Sequence, residues 1–307
     1  MEKDVVYVLG TGSAWKNNEI RFSLRSIQKN LKGYRNVFIV GELPGFLKNV
    51  IHIPAKDIFE PGKNADGNII TKVLAACNHP DLSDDFLFIN DDHLVIKPIN
   101  VENVPPLHKG DMTTFPPKYW KLNHWRGRLE RTMKILQKRG LSTLHFDCHT
   151  PILFNKHRFP EIVKQFDYQN DIGYTMKSLY GNVEYPDGPF LTDQKKTVFK
   201  NYSLEDLKTR LSAPTFMSFN DDGLNKPLKW WLISNFPSKS KYENNQADDV
   251  MFDLYFWQLN GKAFDRGVEI FEENFKHPNL LRLLKMGETP VLRDKLNYKL
   301  MKYIREL

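Results

Sequence analysis

Apolar and polar positions follow two alternating rhythms over the first hundred residues. Val5-Val6-Tyr7-Val8-Leu9 is a continuous apolar run closed by Gly10-Thr11-Gly12-Ser13, the pattern of a buried strand feeding a loop. Ile20, Leu24, Ile27 and Leu31 then fall on one helical face. Asn36 to Val40 returns to β-branched and apolar residues before Gly41-Glu42-Leu43-Pro44-Gly45 breaks the run, and Val50 to Ile53 reads as a third strand. Ile69 to Cys77 is a predicted helix, and Asp85 to Ile89 is another buried strand, ending at Asn90-Asp91-Asp92. Strands and helices at this spacing predict βαβ units and a mainly parallel sheet.

After residue 105 the rhythm changes. Pro105-Pro106 and Pro116-Pro117 bracket a loop, and residues 128–138 suit a helix with Leu129, Met133, Ile135 and Leu136 towards the core. Residues 145–235 mix short apolar runs with turns and give no clear order. From Ala247 onward helices are predicted, the last from about Val291 with Leu292, Leu296, Leu300 and Ile304 on one face. The expected fold class is therefore α/β, a mixed and mainly parallel sheet flanked by helices with a helical C-terminal part. Its expected divisions are an α/β half at 1–105, a basic and aromatic half at 106–246 and a helical region at 247–307.

Composition changes this picture little. Hydrophobic residues make up 41% and charged residues 26% of the 307, enough to close a core and exclude a disordered chain. No run approaches the ~18 apolar residues of a spanning helix. The opening Met1-Glu2-Lys3-Asp4 lacks a signal-like apolar stretch, and Cys77 and Cys148 show no metal-ligand spacing, so a cytoplasmic protein with free thiols is expected. Charge is more informative. The net charge is +7, and residues 118–139 alone carry eight Lys or Arg against Glu130. A local field of one sign attracts a polyanion or a phosphorylated ligand.

Six segments carry candidate chemistry. Asp91 and Asp92, at the exposed end of an apolar strand, can hold a hard divalent cation through oxygen, or form a solvated turn. Gly10, Thr11 and Gly12 can cradle phosphate through backbone N–H groups, or make a tight turn. They match neither the dinucleotide fingerprint nor a Walker loop. Arg21 and Arg25 stand four apart on one helical face, where forked guanidiniums grip phosphate or simply meet solvent, with Glu19 near enough to pair with one. His145-Phe146-Asp147-Cys148-His149 offers a general base or a metal ligand in His149, or a histidine held in the core. Neighbouring Cys148 and His149 point apart, which rules out a nucleophile pair. Phe219-Asn220-Asp221-Asp222 repeats the strand-then-Asn-Asp-Asp pattern, by convergence on one site or by chance. In the basic segment Lys121, Trp125, Arg126 and Arg128, with Tyr119 and Trp120, suit a platform for a sugar, a groove for nucleic acid, or a helix with its tryptophans packed inward.

In order, these pieces resemble the Stealth family of sugar-phosphate transferases, which includes bacterial capsular polysaccharide phosphotransferases. The resemblance runs through Asp4–Val8, Asn18–Ser26, Val37–Val40 with Leu43–Leu47, Leu82–Asp92, His149-Thr150-Pro151 and Phe219-Asn220-Asp221. It implies a nucleotide-sugar-binding fold like that of GT-A glycosyltransferases, with a metal or phosphate centre near Asp91 and Asp92. It also implies His149 as a catalytic group, and Asn220 and Asp221 as site residues. The chain has Leu9-Gly10-Thr11-Gly12 where the family has Thr-Trp-Val-Asp-Gly, and Asn170–Tyr174 lacks the family's arginine.

Plain glycosyl transfer is accordingly read ahead of sugar-1-phosphate transfer to a surface polysaccharide. The expected enzyme uses a nucleotide sugar, a UDP-sugar first of all, with Mg²⁺ or Mn²⁺ on Asp91 and Asp92. Gly10, Thr11, Gly12, Arg21 and Arg25 would bind the donor, with His149, Asp221 and Asp92 catalytic. Lys121, Trp125, Arg126 and Arg128 would bind an acceptor, either a glycan or a hydroxymethylated base in DNA. A non-catalytic nucleic-acid-binding protein on a transferase-like fold is the rival expectation.

Overall fold

A computed structural model describes residues 2–244 except 14, 16, 61, 62, 122 and 237. The helical C-terminal region expected at 247–307, with its face of Leu292, Leu296, Leu300 and Ile304, lies outside the described residues.

The chain begins with β1 (Lys3–Leu9), α1 (Asn18–Asn30), β2 (Leu31–Lys32), β3 (Tyr34–Gly41), β4 (Ile51–Ile53), α2 (Ala65–Cys77) and β5 (Asp85–Phe88). Each element of the first hundred residues predicted from hydrophobic rhythm is present, with ends shifted by a few residues. Then come β6 (His93–Val95), β7 (Ile99–Asn100), α3 (Pro117–Trp120), α4 (His124–Lys138), β8 (Ile152–Asn155), α5 (Arg158–Val163) and α6 (Met176–Glu184). The described part closes with β9 (Lys195–Val198), α7 (Leu204–Arg210), β10 (Phe216–Phe219) and α8 (Lys226–Asn235).

The main sheet has the order β4-β3-β1-β5-β8, parallel except for the antiparallel edge strand β8. It is covered on both faces, which is why β1 and β3 read as unbroken apolar runs rather than alternating ones. Val5, Tyr7 and Leu9 pack with α1 residues Ile20, Leu24 and Ile27 on one face. Val6, Phe38 and Phe88 pack on the other with Ile70 and Val73 of α2, Leu129 and Leu136 of α4, and Leu179 of α6. The sheet is thus the expected mainly parallel one, flanked by helices.

Two smaller sheets complete the fold. β2 pairs with β7, and β10 lies between β6 and β9, antiparallel to the first and parallel to the second. Trp230 and Trp231 of α8 are buried and belong to the core. Cys77 and Cys148 are both buried and unpaired. Among the described residues no helix is long and apolar enough to cross a membrane.

Candidate active site

Strand order places the site. From β1 the chain moves to β3 and β4 on one side, whereas β5 joins β1 on the other. Such a reversal opens a crevice beyond the carboxyl ends of the strands, here between the loops that follow β1 and β5. Gly10–Ser13 leaves β1 and Asn90–Asp92 leaves β5 at that place.

The loop after β1 is organised by one hydroxyl. Ser13 Oγ shares its proton between the two Glu19 carboxylate oxygens at 2.9 and 2.8 Å, and accepts from Trp15 N at 3.1 Å and Asn17 N at 2.8 Å. This turns the buried Glu19 into the crevice instead of towards an arginine. Asp91 and Asp92 face it across a cavity of about 360 Å³, also lined by Gly10, Gly12, Asn220 and Asp221.

The second Asn-Asp-Asp segment arrives through sheet pairing. β10 runs antiparallel to β6 with Ser218 opposite His93, and Phe219 N donates to Asp92 O at 3.3 Å. Asn220 and Asp221 therefore emerge beside Asp91 and Asp92, and the two repeats converge in space.

Asp92, His93 and His149 form a tighter cluster, each offering a ligand atom within 4.8 Å of the others. His93 Nε2 lies 3.5 Å from Asp92 Oδ1, and the two imidazoles meet edge to face at 5.8 Å. His93 is fully buried, yet neither of its ring nitrogens nor Asp92 Oδ1 takes a hydrogen bond. Buried polar atoms are almost always satisfied, so three orphans at one point signal a missing partner. His149 has φ of 55°, an unfavoured left-handed conformation for a non-glycine residue, and this turn brings its ring to the cluster. A divalent cation that accepts both carboxylate oxygen and imidazole nitrogen suits the set, Mn²⁺ better than the harder, oxygen-seeking Mg²⁺.

Charge in the crevice is finely opposed. Burial, with Asp92 and Glu19 alongside, pushes the Asp91 carboxyl up to about 8. Burial raises Asp92 to about 6 against the pull of Lys177 and Lys195. These two lysines are themselves buried, which lowers Lys177 to about 8 and Lys195 to about 7. Burial and the nearby lysines also hold His93 and His149 well below the usual imidazole range, so both are neutral and able to ligate.

A pH test follows from Asp91. Between the ordinary carboxyl value of 3.8 and the folded value of about 8, native Asp91 keeps a proton that the unfolded chain has released. Parental stability must therefore fall through that window relative to Asp91→Asn, which cannot ionise. Denaturant melts in EDTA should show the variant gaining up to about 1.4 kcal/mol per pH unit. A difference between the two proteins that stays constant from pH 5 to pH 8 would contradict the assignment.

A further cavity of about 190 Å³ lies on the α4 and α6 side, lined by Trp125, Asp147, His149 and Lys177 among others. Between it and the acidic cavity is a third, of about 240 Å³, containing Gly10, Asp57, Lys72 and Asn90. Lys72 Nζ bonds Leu9 O at 2.8 Å and Asp57 at 2.6 Å. Gly41, at φ +108°, allows this approach: a Cβ there would lie 2.2 Å from Leu9 O and 3.2 Å from the Lys72 amine.

Several expected site residues lie elsewhere or are occupied. Arg21 and Arg25 turn inward and bind Glu243: Arg25 Nε and Nη2 reach its oxygens at 2.8 and 2.6 Å, and Arg21 Nη1 at 3.3 Å. Both are buried against Glu243, and neither lines any of the three cavities. Arg128 lines the α4-side cavity, but its guanidinium is consumed by Asp66 Oδ2 at 2.6 Å, Lys63 O at 2.6 Å and Ile172 O at 2.8 Å. Arg126 lies over the Tyr119 ring at 4.0 Å and bonds Tyr119 O. Trp120 stacks on Phe115, Tyr119 meets the same ring edge to face, and both pack against the core, so they form no open groove. Thr11 and Lys121 are exposed, and neither lines these three cavities.

Four site residues were not read from sequence in the positions they hold. Glu19 was visible only as a candidate ion-pair partner. His93 carried one cue, an imidazole within an apolar run beside two aspartates. Lys177 and Lys195 carried none, since β9 and the start of α6 bring their charges near Asp92 only through the tertiary fold.

No family model matches the chain, and no curated protein matches it in sequence, so the Stealth resemblance has no match beside it. Solved structures similar to it are glycosyltransferases. The galactosyltransferase LgtC in complex with donor and acceptor sugar analogues is 10% identical, with a TM-score of 0.43, covering 92% of this chain and 99% of that one. Mouse xyloside xylosyltransferase 1 is 10% identical with a TM-score of 0.38, covering 73% and 100%. The glycosyltransferase GlyE of Streptococcus pneumoniae is 10% identical with a TM-score of 0.39, covering 75% of this chain and 59% of that one.

Proposed function

We propose that this chain is a metal-dependent glycosyltransferase that takes its sugar from a nucleotide sugar. The observation that carries the reading is the convergence of Asp92, His93 and the exposed His149 on one point at the sheet's switch point, with Asp92 Oδ1 and both His93 ring nitrogens buried and unsatisfied. Asp91 and Asp92, with His149 and His93, would hold Mg²⁺ or Mn²⁺. The bound cation would supply positive charge against a leaving diphosphate.

The remaining groups suit the same chemistry. Lys177 and Lys195, buried with lowered pKa, present positive charge to phosphate oxygens without the shielding of bulk water. Gly10 and Gly12 line the crevice with little side chain in the way of a close backbone approach. With His149 on the ligand set, the exposed Asp221 is the carboxylate at the cavity rim able to accept the acceptor hydroxyl's proton. A glycan acceptor is favoured over DNA, because the aromatic rings of residues 115–120 pack on one another and the Arg128 guanidinium is spent.

Incubation with a panel of UDP- and GDP-sugars and Mn²⁺ tests this reading. Release of the nucleoside diphosphate supports it. Release of the monophosphate restores sugar-phosphate transfer, and release stimulated only by hydroxymethylated DNA restores the DNA acceptor. No release from any donor, with salt-sensitive DNA binding, overturns it in favour of a binding protein.

A further inference from the structure

The cavity on the α4 and α6 side has features that the proposed metal and phosphate chemistry does not use. It holds about 190 Å³, against ~150 Å³ for a cavity that admits benzene, so it has room for one six-membered ring. One wall is apolar, made by Ile69, Phe88, Met176 and the half-buried indole of Trp125. Trp125 is braced by the His145 ring at 5.8 Å, which restricts its motion. The lining also includes polar groups, Asp147 among them.

Asp147 is held in place from one side only. Its Oδ2 accepts from the Ser178 backbone N–H at 3.2 Å and from the Ser178 hydroxyl, in the first turn of α6. A carboxylate there also complements the helix N-terminus. No hydrogen bond among the described residues engages Oδ1. It is a fixed acceptor with no donor, in a cavity whose other carboxylate, Asp66, is spent on Arg128 and Met176 N. An ionised carboxylate accepts from hydroxyls and repels phosphate.

Apolar side chains, an indole among them, and a carboxylate acceptor lining one cavity match a pyranose, which has an apolar C–H face and a rim of hydroxyl donors. We propose that this cavity is a saccharide subsite for a single pyranose ring, with Trp125 as its stacking face and Asp147 Oδ1 as the acceptor that selects its hydroxyls. The proposal rests on the glycosyltransferase reading and specifies where a sugar sits within it. The ring belongs either to the donor's sugar or to the acceptor, and the two are separable.

The test is equilibrium binding to the full chain with Mn²⁺, comparing the parent with Trp125→Ala, Trp125→Phe and Asp147→Asn. The probes are UDP, a UDP-sugar panel, and methyl hexosides added with UDP present. Loss of the aromatic face should weaken the affected probe about tenfold in Trp125→Ala, with Trp125→Phe closer to the parent. Asp147→Asn keeps an oxygen for Ser178 and should weaken the same probe while leaving UDP unchanged. An effect on UDP-sugars but not UDP assigns the ring to the donor, and an effect on methyl hexosides assigns it to the acceptor. Unchanged binding of both in Trp125→Ala and Asp147→Asn overturns the subsite while the glycosyltransferase reading stands. Hexoside binding without any UDP or UDP-sugar binding keeps the subsite and overturns that reading. A parent that binds no probe overturns both.

Discussion

Asp92→Asn should lower nucleotide-sugar turnover at least about a thousandfold while leaving the fold as stable as the parent or slightly more so. Cationic stabilisation of a developing charge is worth several kcal/mol, and each 1.36 kcal/mol is tenfold in rate. Asparagine keeps the size of the side chain but removes the negative oxygen that lies 3.5 Å from His93 Nε2. Stability should not suffer, because burial already pushes this carboxyl up to about 6 and a neutral amide relieves that cost. Steady-state kinetics and Mn²⁺ titration calorimetry read the two halves separately. A variant that loses activity but binds Mn²⁺ like the parent would move the cation elsewhere. One that unfolds would make Asp92 a structural residue.

The second large effect lies away from the crevice. Glu243→Gln should destabilise the protein by about 3–5 kcal/mol, the cost of removing one partner's charge from a buried ion-pair cluster. The Glu243 side chain is fully buried between Arg21 and Arg25, which are only 2% and 5% exposed. Burial alone would raise its pKa, yet Arg25, Ser240 and Arg21 hold it below the usual glutamate range. Its stabilising contribution is accordingly present above the ordinary carboxyl value and is lost as pH falls through the depressed one. Urea denaturation at neutral pH measures the effect. A change under about 1 kcal/mol, the range of exposed pairs, would contradict a buried, essential Glu243.

These two sites mark the boundary of what the chain discloses by itself. Asp91 and Asp92 were legible because two carboxylates directly follow an apolar strand, and strand ends are where α/β sheets bind ligands. Arg21 and Arg25 were legible as neighbours on one helical face. Which way that face turned was not, because Glu243 lies far along the sequence and carries no local signal. The elements of the first hundred residues followed from long apolar runs and a clear helical stripe. Between 145 and 235 the strands are four residues long and the helices six to ten, too short for a period to repeat. The same brevity hid Lys177 and Lys195, whose charges act on Asp92 from such elements.

The basic segment shows how charge counting overstates a surface. Eight cations in residues 118–139 suggested a polyanion groove, but Arg128 is buried against Asp66, Arg126 covers Tyr119, and Lys134 pairs with Glu130 at 2.7 Å. Part of that charge fastens α4 to α2 and to the loop before α6. The local excess is real, whereas the number of cations free to meet a partner is smaller.

The central claim is that a divalent cation sits where Asp92, His93 and His149 converge and a nucleotide lies against it. The most direct measurement is an anomalous difference map from a crystal grown with Mn²⁺ and UDP. A Mn²⁺ peak within bonding distance of Asp92 and His149, with UDP phosphate oxygens beside it and near Lys177 or Lys195, is the expected result. Bound UDP with no peak at that cluster, or a peak on unrelated residues, would contradict the account.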